Sequence, residues 1–152
     1  MVAVNSTMLP LGTTAPQFEL PDAEGRMVAL GDVPEGRAVL VAFVCNHCPY
    51  VRHIGSTFGH VAKQLDRLGV TVIAINSNDI EHYPEDAPDQ MVLAARKWGW
   101  SFPYLLDEDQ SVAKAYRAAC TPDLFLFDAD LALAYRGQFD SSRPRNDLPI
   151  DG

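Results

Sequence analysis

The stretch FVCNHCPYV, Phe43–Val51, holds two of the chain's three cysteines, Cys45 and Cys48, with Asn46 and His47 between them. A pair at this spacing can clip a metal, staple the chain or cycle between dithiol and disulfide. Its surroundings separate these readings better than the spacing does. Upstream, AVLVAFV (Ala38–Val44) is a continuous apolar run, the pattern of a strand covered on both faces of a sheet. Downstream, Val51, Ile54, Phe58, Val61, Leu65 and Leu68 recur at helical spacing, which predicts a helix with one buried stripe, closed by Gly69. Pro49 falls in its first turn, where a missing N–H costs nothing. The pair therefore sits on a strand-to-helix turn.

That position has chemical consequences. The first turn of a helix carries unpaired N–H groups and the positive end of the dipole, and both favour thiolate over thiol. On this reading Cys45, ahead of the helix, is the exposed nucleophile, and His47 adds to its acidity when protonated. Cys48, one turn inside, is the resolving thiol. A zinc knuckle needs four ligands, and the sequence has no second CxxC and no His-x-x-x-His set. A mononuclear site of Cys45, Cys48 and a distant histidine stays open, although His53 and His60 read more simply as ordinary helix residues. A structural disulfide is the least suited to a reducing compartment.

The totals set the frame. The 152 residues suit one domain, and 47% hydrophobic with 21% charged residues is the composition of a globular protein. A net charge of −8 without a basic cluster argues against nucleic acid or anionic membrane as a partner. The N-terminal MVAVNSTMLPLGTTAPQ has neither the basic start nor the apolar run of a signal peptide, so the expected location is cytoplasmic.

The remaining elements follow in order. Gln17 to Leu30 reads as a hairpin turning at EGR, and VTVIAIN (Val70–Asn76) as a second buried strand. The acidic run NDIEHYPEDAPD reads as a solvated loop that could border a substrate groove. Asp86 is the expected N-cap of a helix over about Ala87–Trp98. PYLLD is a short extended piece, and DQSVAKAYRA a short helix capped by Asp109. Thr121-Pro122 then turns into two strands joined near Asp128-Ala129-Asp130. Strand–helix–strand implies a parallel pair with a right-handed crossover, and the final hairpin makes the sheet mixed. Trp98, Trp100, Phe102 and Tyr104 are expected to pack the sheet and its edge. Residues 138–152 read as a coil tail.

Strand–CxxC–helix, a parallel strand, and a later Thr-Pro before a hairpin together resemble the thioredoxin superfamily. LGTTAPQFELPDAEGRMVAL is similar to the entry segment of its redoxin and peroxiredoxin-like (AhpC/TSA-type) branch. The resemblance spans nearly the whole chain. It implies an α/β, thioredoxin-like three-layer fold with a mixed central sheet and an N-terminal extension. It also implies that Cys45 attacks and Cys48 resolves. The Thr121-Pro122 bond would be cis, with Pro122 against the pair and the Thr121 backbone open to an extended substrate. The implied activity is thiol–disulfide exchange on protein or small-thiol disulfides. It needs no bound cofactor, and a thioredoxin- or glutathione-type donor supplies the electrons.

The chain departs from the pattern in places. Val44 stands where thioredoxins commonly carry tryptophan, and Val39 where many bury a carboxylate. No evident proton acceptor serves Cys48, which leaves His47 or a water. The direction of electron flow stays open within the range of about −270 to −120 mV spanned by such oxidoreductases. Peroxiredoxins, the alternative, place Pro-x-x-x-Thr-x-x-Cys here. With Cys48 as the peroxidatic position, Cys45 replaces the threonine and Val41 the proline. A closing helix is missing after Gly137, so a shortened chain, a partner or a homodimer mate is expected to account for that face. Cys120, two residues before Pro122, is either a secondary thiol or a small buried turn residue.

Overall fold

The computed structural model describes residues 9–118 and 121–137. The expected coil tail, the missing closing helix and Cys120 all lie outside the described residues. An antiparallel hairpin, β1 (Glu19–Pro21) and β2 (Met27–Ala29), leads the chain in. Asp22 fixes its turn by accepting the Glu24 and Arg26 N–H groups. There follow β3 (Ala38–Phe43), α1 (Pro49–Arg67), β4 (Val70–Asn76), α2 (Pro88–Trp98), β5 (Tyr104–Leu106), α3 (Ser111–Tyr116), β6 (Asp123–Phe127) and β7 (Leu133–Gly137).

The five-stranded sheet has the order β5-β4-β3-β6-β7. β3 lies at its centre, parallel to β4 and antiparallel to β6. Side chains alternate across a strand, so its apolar run feeds two cores. Val39, Val41 and Phe43 join Ile73, Ile75, Phe125, Phe127 and Tyr116 on one face. Leu40, Ala42 and Val44 join Val51, Phe58, Trp98 and Trp100 on the other. This is the three-layer, thioredoxin-like α/β fold with a mixed sheet. None of the described helices is long and apolar enough to cross a membrane.

Three local details differ from the sequence reading. The buried stripe of α1 runs Val51, Ile54, Gly55, Phe58, Gly59, Ala62, whereas Leu68 is 78% exposed. The glycines admit two tryptophans: a Cβ on Gly55 would come within 2.6 Å of the Trp98 ring, and one on Gly59 within 2.6 Å of the Trp98 carbonyl. Trp100 then donates its indole N–H to the Gly55 carbonyl at 2.8 Å. The first turn of α3 is served not by Asp109 alone, which accepts the Ser111 N–H, but also by buried Asp107, which accepts those of Val112 and Ala113. Asp86 does not cap α2 either; Ala87 holds that position, and Asp86 turns inward.

Candidate active site

The site forms where β3 gives way to α1. Pairing continues one residue beyond β3, since the Val44 N–H donates to the Ile75 carbonyl at 2.9 Å. Cys45 follows while the chain is still inside the molecule, and it has no exposed surface. The chain then turns through Asn46 and His47 and enters α1 at Pro49, with Cys48 as the N-cap in extended conformation. Both cysteines are free thiols. The expectation of an exposed Cys45 and of Cys48 one turn inside the helix is therefore reversed. The half-buried sulfur at the helix N-terminus is Cys48, and the helix starts four residues after Cys45, at Pro49.

The electrostatics follow that geometry. The hydrogen bond between the two sulfurs is the largest influence on both. It pushes Cys45 far above the ordinary thiol range, with burial acting in the same direction. It pulls Cys48 down to about 5 against a smaller desolvation penalty, helped by Thr121 and by the backbone N–H groups of Val51 and Tyr50. The pair thus gives up one proton readily and holds the second tightly. The Thr121-Pro122 bond is cis. It brings the Thr121 carbonyl to 3.3 Å from Cys48 Sγ, accepting from the thiol form, and Thr121 Oγ1 to 3.5 Å from Cys45 Sγ.

Behind the cysteines lies a buried polar cluster that the sequence reading did not find. Asp86 is fully buried and accepts four hydrogen bonds: from the Asn46 N–H, His47 Nδ1, Asn76 Nδ2 and Asn78 Nδ2. The Tyr104 hydroxyl donates to Asn46 Oδ1 at 2.9 Å and accepts from Asn76 Nδ2 at 3.2 Å. Burial raises this phenol well above its usual range, so it stays neutral. The His47 ring stacks flat on Tyr83, with centroids 4.4 Å apart. Cys45 and Thr121 thus meet Cys48, and His47 lies with Cys45 and Asp86, whereas the expected solvation of the acidic loop fails at Asp86. A signal was present in Asn76, a polar residue ending a buried strand.

Cys45, His47 and Asp86 offer sulfur, nitrogen and oxygen atoms within 4.8 Å of one another, a donor set of the kind zinc accepts. The carboxylate is, however, already committed to four donors, each of which a cation would have to displace or share.

A family model described as the AhpC/TSA family matches residues 11–136. The chain belongs to the AhpC/TSA family. An uncharacterized conserved protein from Geobacillus kaustophilus, solved as a crystal structure, superposes with a TM-score of 0.93 at 50% identity, covering 99% of this chain and 80% of that one. Thiol-disulfide oxidoreductase ResA from Halalkalibacterium halodurans is 30% identical over 77% of this chain. The match covers 62% of that relative, so this AhpC/TSA chain spans less than two thirds of its length. A protein bearing a peroxiredoxin name, from Coxiella burnetii, is 26% identical over 71% of this chain and 66% of its own length. The solved thioredoxin domain of a thiol-disulfide oxidoreductase from Bacteroides vulgatus, at 20% identity, and a thiol:disulfide interchange protein DsbE from Chlorobium tepidum, at 21%, each with a TM-score of 0.71, share the fold alone.

Proposed function

We propose that this AhpC/TSA-family protein is a thiol–disulfide oxidoreductase that attacks through Cys48 and resolves through Cys45. The observation that carries this is the contrast within the pair. Cys48 is half-buried as the N-cap of α1, where the Val51 and Tyr50 N–H groups favour its thiolate, while Cys45 has no exposed surface and burial favours its thiol. The Cys48 thiolate displaces one thiolate from a substrate disulfide and forms a mixed disulfide. Cys45, once deprotonated, attacks the Cys48 sulfur, closes the Cys45–Cys48 disulfide and releases the second substrate thiolate. Two electrons pass from the dithiol to the substrate. Thr121 and Pro122 border the groove in which an extended substrate would lie.

The kinship with ResA supports disulfide-bearing proteins as substrates. A thioredoxin- or glutathione-type donor to regenerate the dithiol belongs to the same proposal. So do a cytosolic setting, read by cell fractionation, and a homodimer, read by light scattering. Insulin reduction in the presence of dithiothreitol tests the activity: Cys48→Ser should abolish it. Unchanged activity in that variant would sink the reading.

One feature favours a second reading, peroxide reduction. A low-pKa thiolate at a helix N-terminus with a second thiol beside it suits attack on a peroxide oxygen, giving a Cys48 sulfenate that Cys45 condenses with, releasing water. Loss of hydrogen peroxide, abolished by Cys48→Ser and faster than disulfide reduction, would favour it.

A further inference from the structure

Four side chains of metal-ligating type converge at the strand-to-helix turn. Cys45, His47 and Asp86 each offer one ligand atom, and the three atoms lie within 4.8 Å of one another. The Cys48 sulfur joins them, since it is hydrogen-bonded to that of Cys45. Two sulfurs, one imidazole nitrogen and one carboxylate oxygen are donors of the number and kind that fill a tetrahedral zinc site. Ligands about 2.0–2.3 Å from zinc stand roughly 3.3–3.8 Å apart, so the three atoms need close by no more than about 1.5 Å.

The surroundings suit such an ion. Cys45 and Asp86 have no exposed surface, and His47 keeps 17% of its side chain in contact with solvent. The half-buried Cys48 sulfur marks the way in. Asp86 already accepts four hydrogen bonds, so a cation must take the place of one donor. The His47 N–H is the donor it replaces without loss, because the imidazole then binds the cation instead of the carboxylate. The Asn46 N–H, Asn76 Nδ2 and Asn78 Nδ2 stay on Asp86 and orient it, as outer partners of a metal ligand do. Tyr83, stacked on the His47 ring, steadies the imidazole. The Asn46 side chain donates to the Glu85 carbonyl at 2.8 Å, which ties the turn bearing the cysteines to the loop bearing Asp86 before any ion arrives.

We propose that the reduced Cys45–Cys48 pair, with His47 and Asp86, binds one zinc ion per chain, and that oxidation of the pair releases it. The ion takes the place of the thiol protons, which leave to solvent. The neutral imidazole keeps its one proton on the nitrogen that does not bind. While the ion is held both sulfurs are ligated, so disulfide exchange slows. A disulfide substrate that draws off the pair's two electrons becomes two thiolates, and the Cys45–Cys48 bond forms. The ion thereby loses both sulfurs and departs. This release rests on the reading that the pair exchanges disulfides; the binding does not.

Competition for zinc between the reduced protein, kept free of air, and 4-(2-pyridylazo)resorcinol measures the affinity. X-ray absorption at the zinc edge counts the donors. One zinc should bind per reduced chain and none to the disulfide form. Its shell should hold two sulfurs at about 2.3 Å and two nitrogen or oxygen atoms at about 2.0–2.2 Å. His47→Ala should weaken binding at least about tenfold, since even the outer partners of a ligand contribute roughly 10–100-fold. Asp86→Asn should weaken it likewise. If circular dichroism shows that this buried substitution unfolds the chain, His47→Ala and the absorption spectrum carry the test. Unchanged affinity in folded His47→Ala would mean that a bare dithiol holds the ion, and would overturn the proposal. Four sulfurs around the zinc, the mark of an ion bridging two chains, or equal binding to the disulfide form would overturn it too. Insulin reduction by the zinc-free protein separates the two readings. Reduction without stoichiometric zinc binding sinks the metal site alone, whereas zinc binding without reduction sinks the exchange reading, and the release with it.

Discussion

A thiol drawn down to about 5 makes a prediction about Cys48 that is unusual in its shape more than in its size. At pH 7 such a thiol is about 99% ionised, whereas an ordinary one near 8.5 is only about 3% ionised, roughly a 30-fold difference in thiolate. Intrinsic nucleophilicity falls with basicity along a slope of about 0.4–0.5, which over roughly 3.5 units costs about 25- to 55-fold. The two effects nearly cancel at pH 7. Cys48 should therefore react with iodoacetamide no faster than a free thiol there. Its rate should be flat from about pH 6.5 to 8.5 and fall to half near pH 5, where an ordinary thiol rises about tenfold per unit up to its own midpoint. Peptide mapping by mass spectrometry assigns the label to each cysteine. Cys45→Ser removes the leading cause of the depression, so the Cys48 midpoint should move up toward the ordinary value. Low-pH labelling of Cys45 ahead of Cys48, or a Cys48 rate that climbs steadily to pH 8.5, would refute the reasoning.

The same shifts set a window for the stability of the reduced protein. The depressed Cys48 contributes stability that is present above its unfolded value, about 8.5, and lost as pH falls through about 5. The raised Cys45 contributes stability that is fully present below that unfolded value and is lost at higher pH, as pH rises through its folded value. Melting of the reduced form relative to the disulfide form should therefore fall progressively from about pH 8.5 to about pH 5 and level off below; a difference independent of pH between about 5 and 8 would contradict this. Gly59→Ala should destabilise by about 1–3 kcal/mol despite alanine's better helix propensity, because its methyl meets the Trp98 carbonyl; calorimetry showing a gain would sink this account of the α1–α2 contact. Asp107→Ala should cost at least about 1 kcal/mol, since two α3 N–H groups and the Ser77 hydroxyl at 2.7 Å lose their acceptor, and urea titration reads it.

Much of the fold could be read from local pattern because its central element obeys one. Seven apolar residues in a row announce a strand buried on both faces, and β3 is that strand. The order of the cysteines could not be read the same way. Sequence places the pair on the strand-to-helix junction but not the point where pairing stops, and that point lies one residue further on than the strand itself. The Val44–Ile75 hydrogen bond carries Cys45 into the interior and hands the helix terminus to Cys48. Asp86 was misread for a related reason: an aspartate ahead of Ala-Pro-Asp satisfies every local criterion for a cap. Only the parallel register of β3 with β4, Phe43 opposite Ile75, carries the following loop over Asn46 and His47. The purpose of Gly55 and Gly59 is visible only with Trp98 and Trp100 in place.

The proposed function makes the half-buried Cys48 sulfur at the start of α1 the nucleophile. The most direct test of this arrangement is the identity of the trapped sulfur. Cys45→Ser and Cys48→Ser proteins are each mixed with a disulfide-bearing peptide, quenched with acid and mapped by mass spectrometry. A stable peptide adduct on Cys48 in Cys45→Ser, with none on Cys45 in Cys48→Ser, is the predicted result. An adduct accumulating on Cys45 in Cys48→Ser, with Cys48 unmodified in Cys45→Ser, would contradict it.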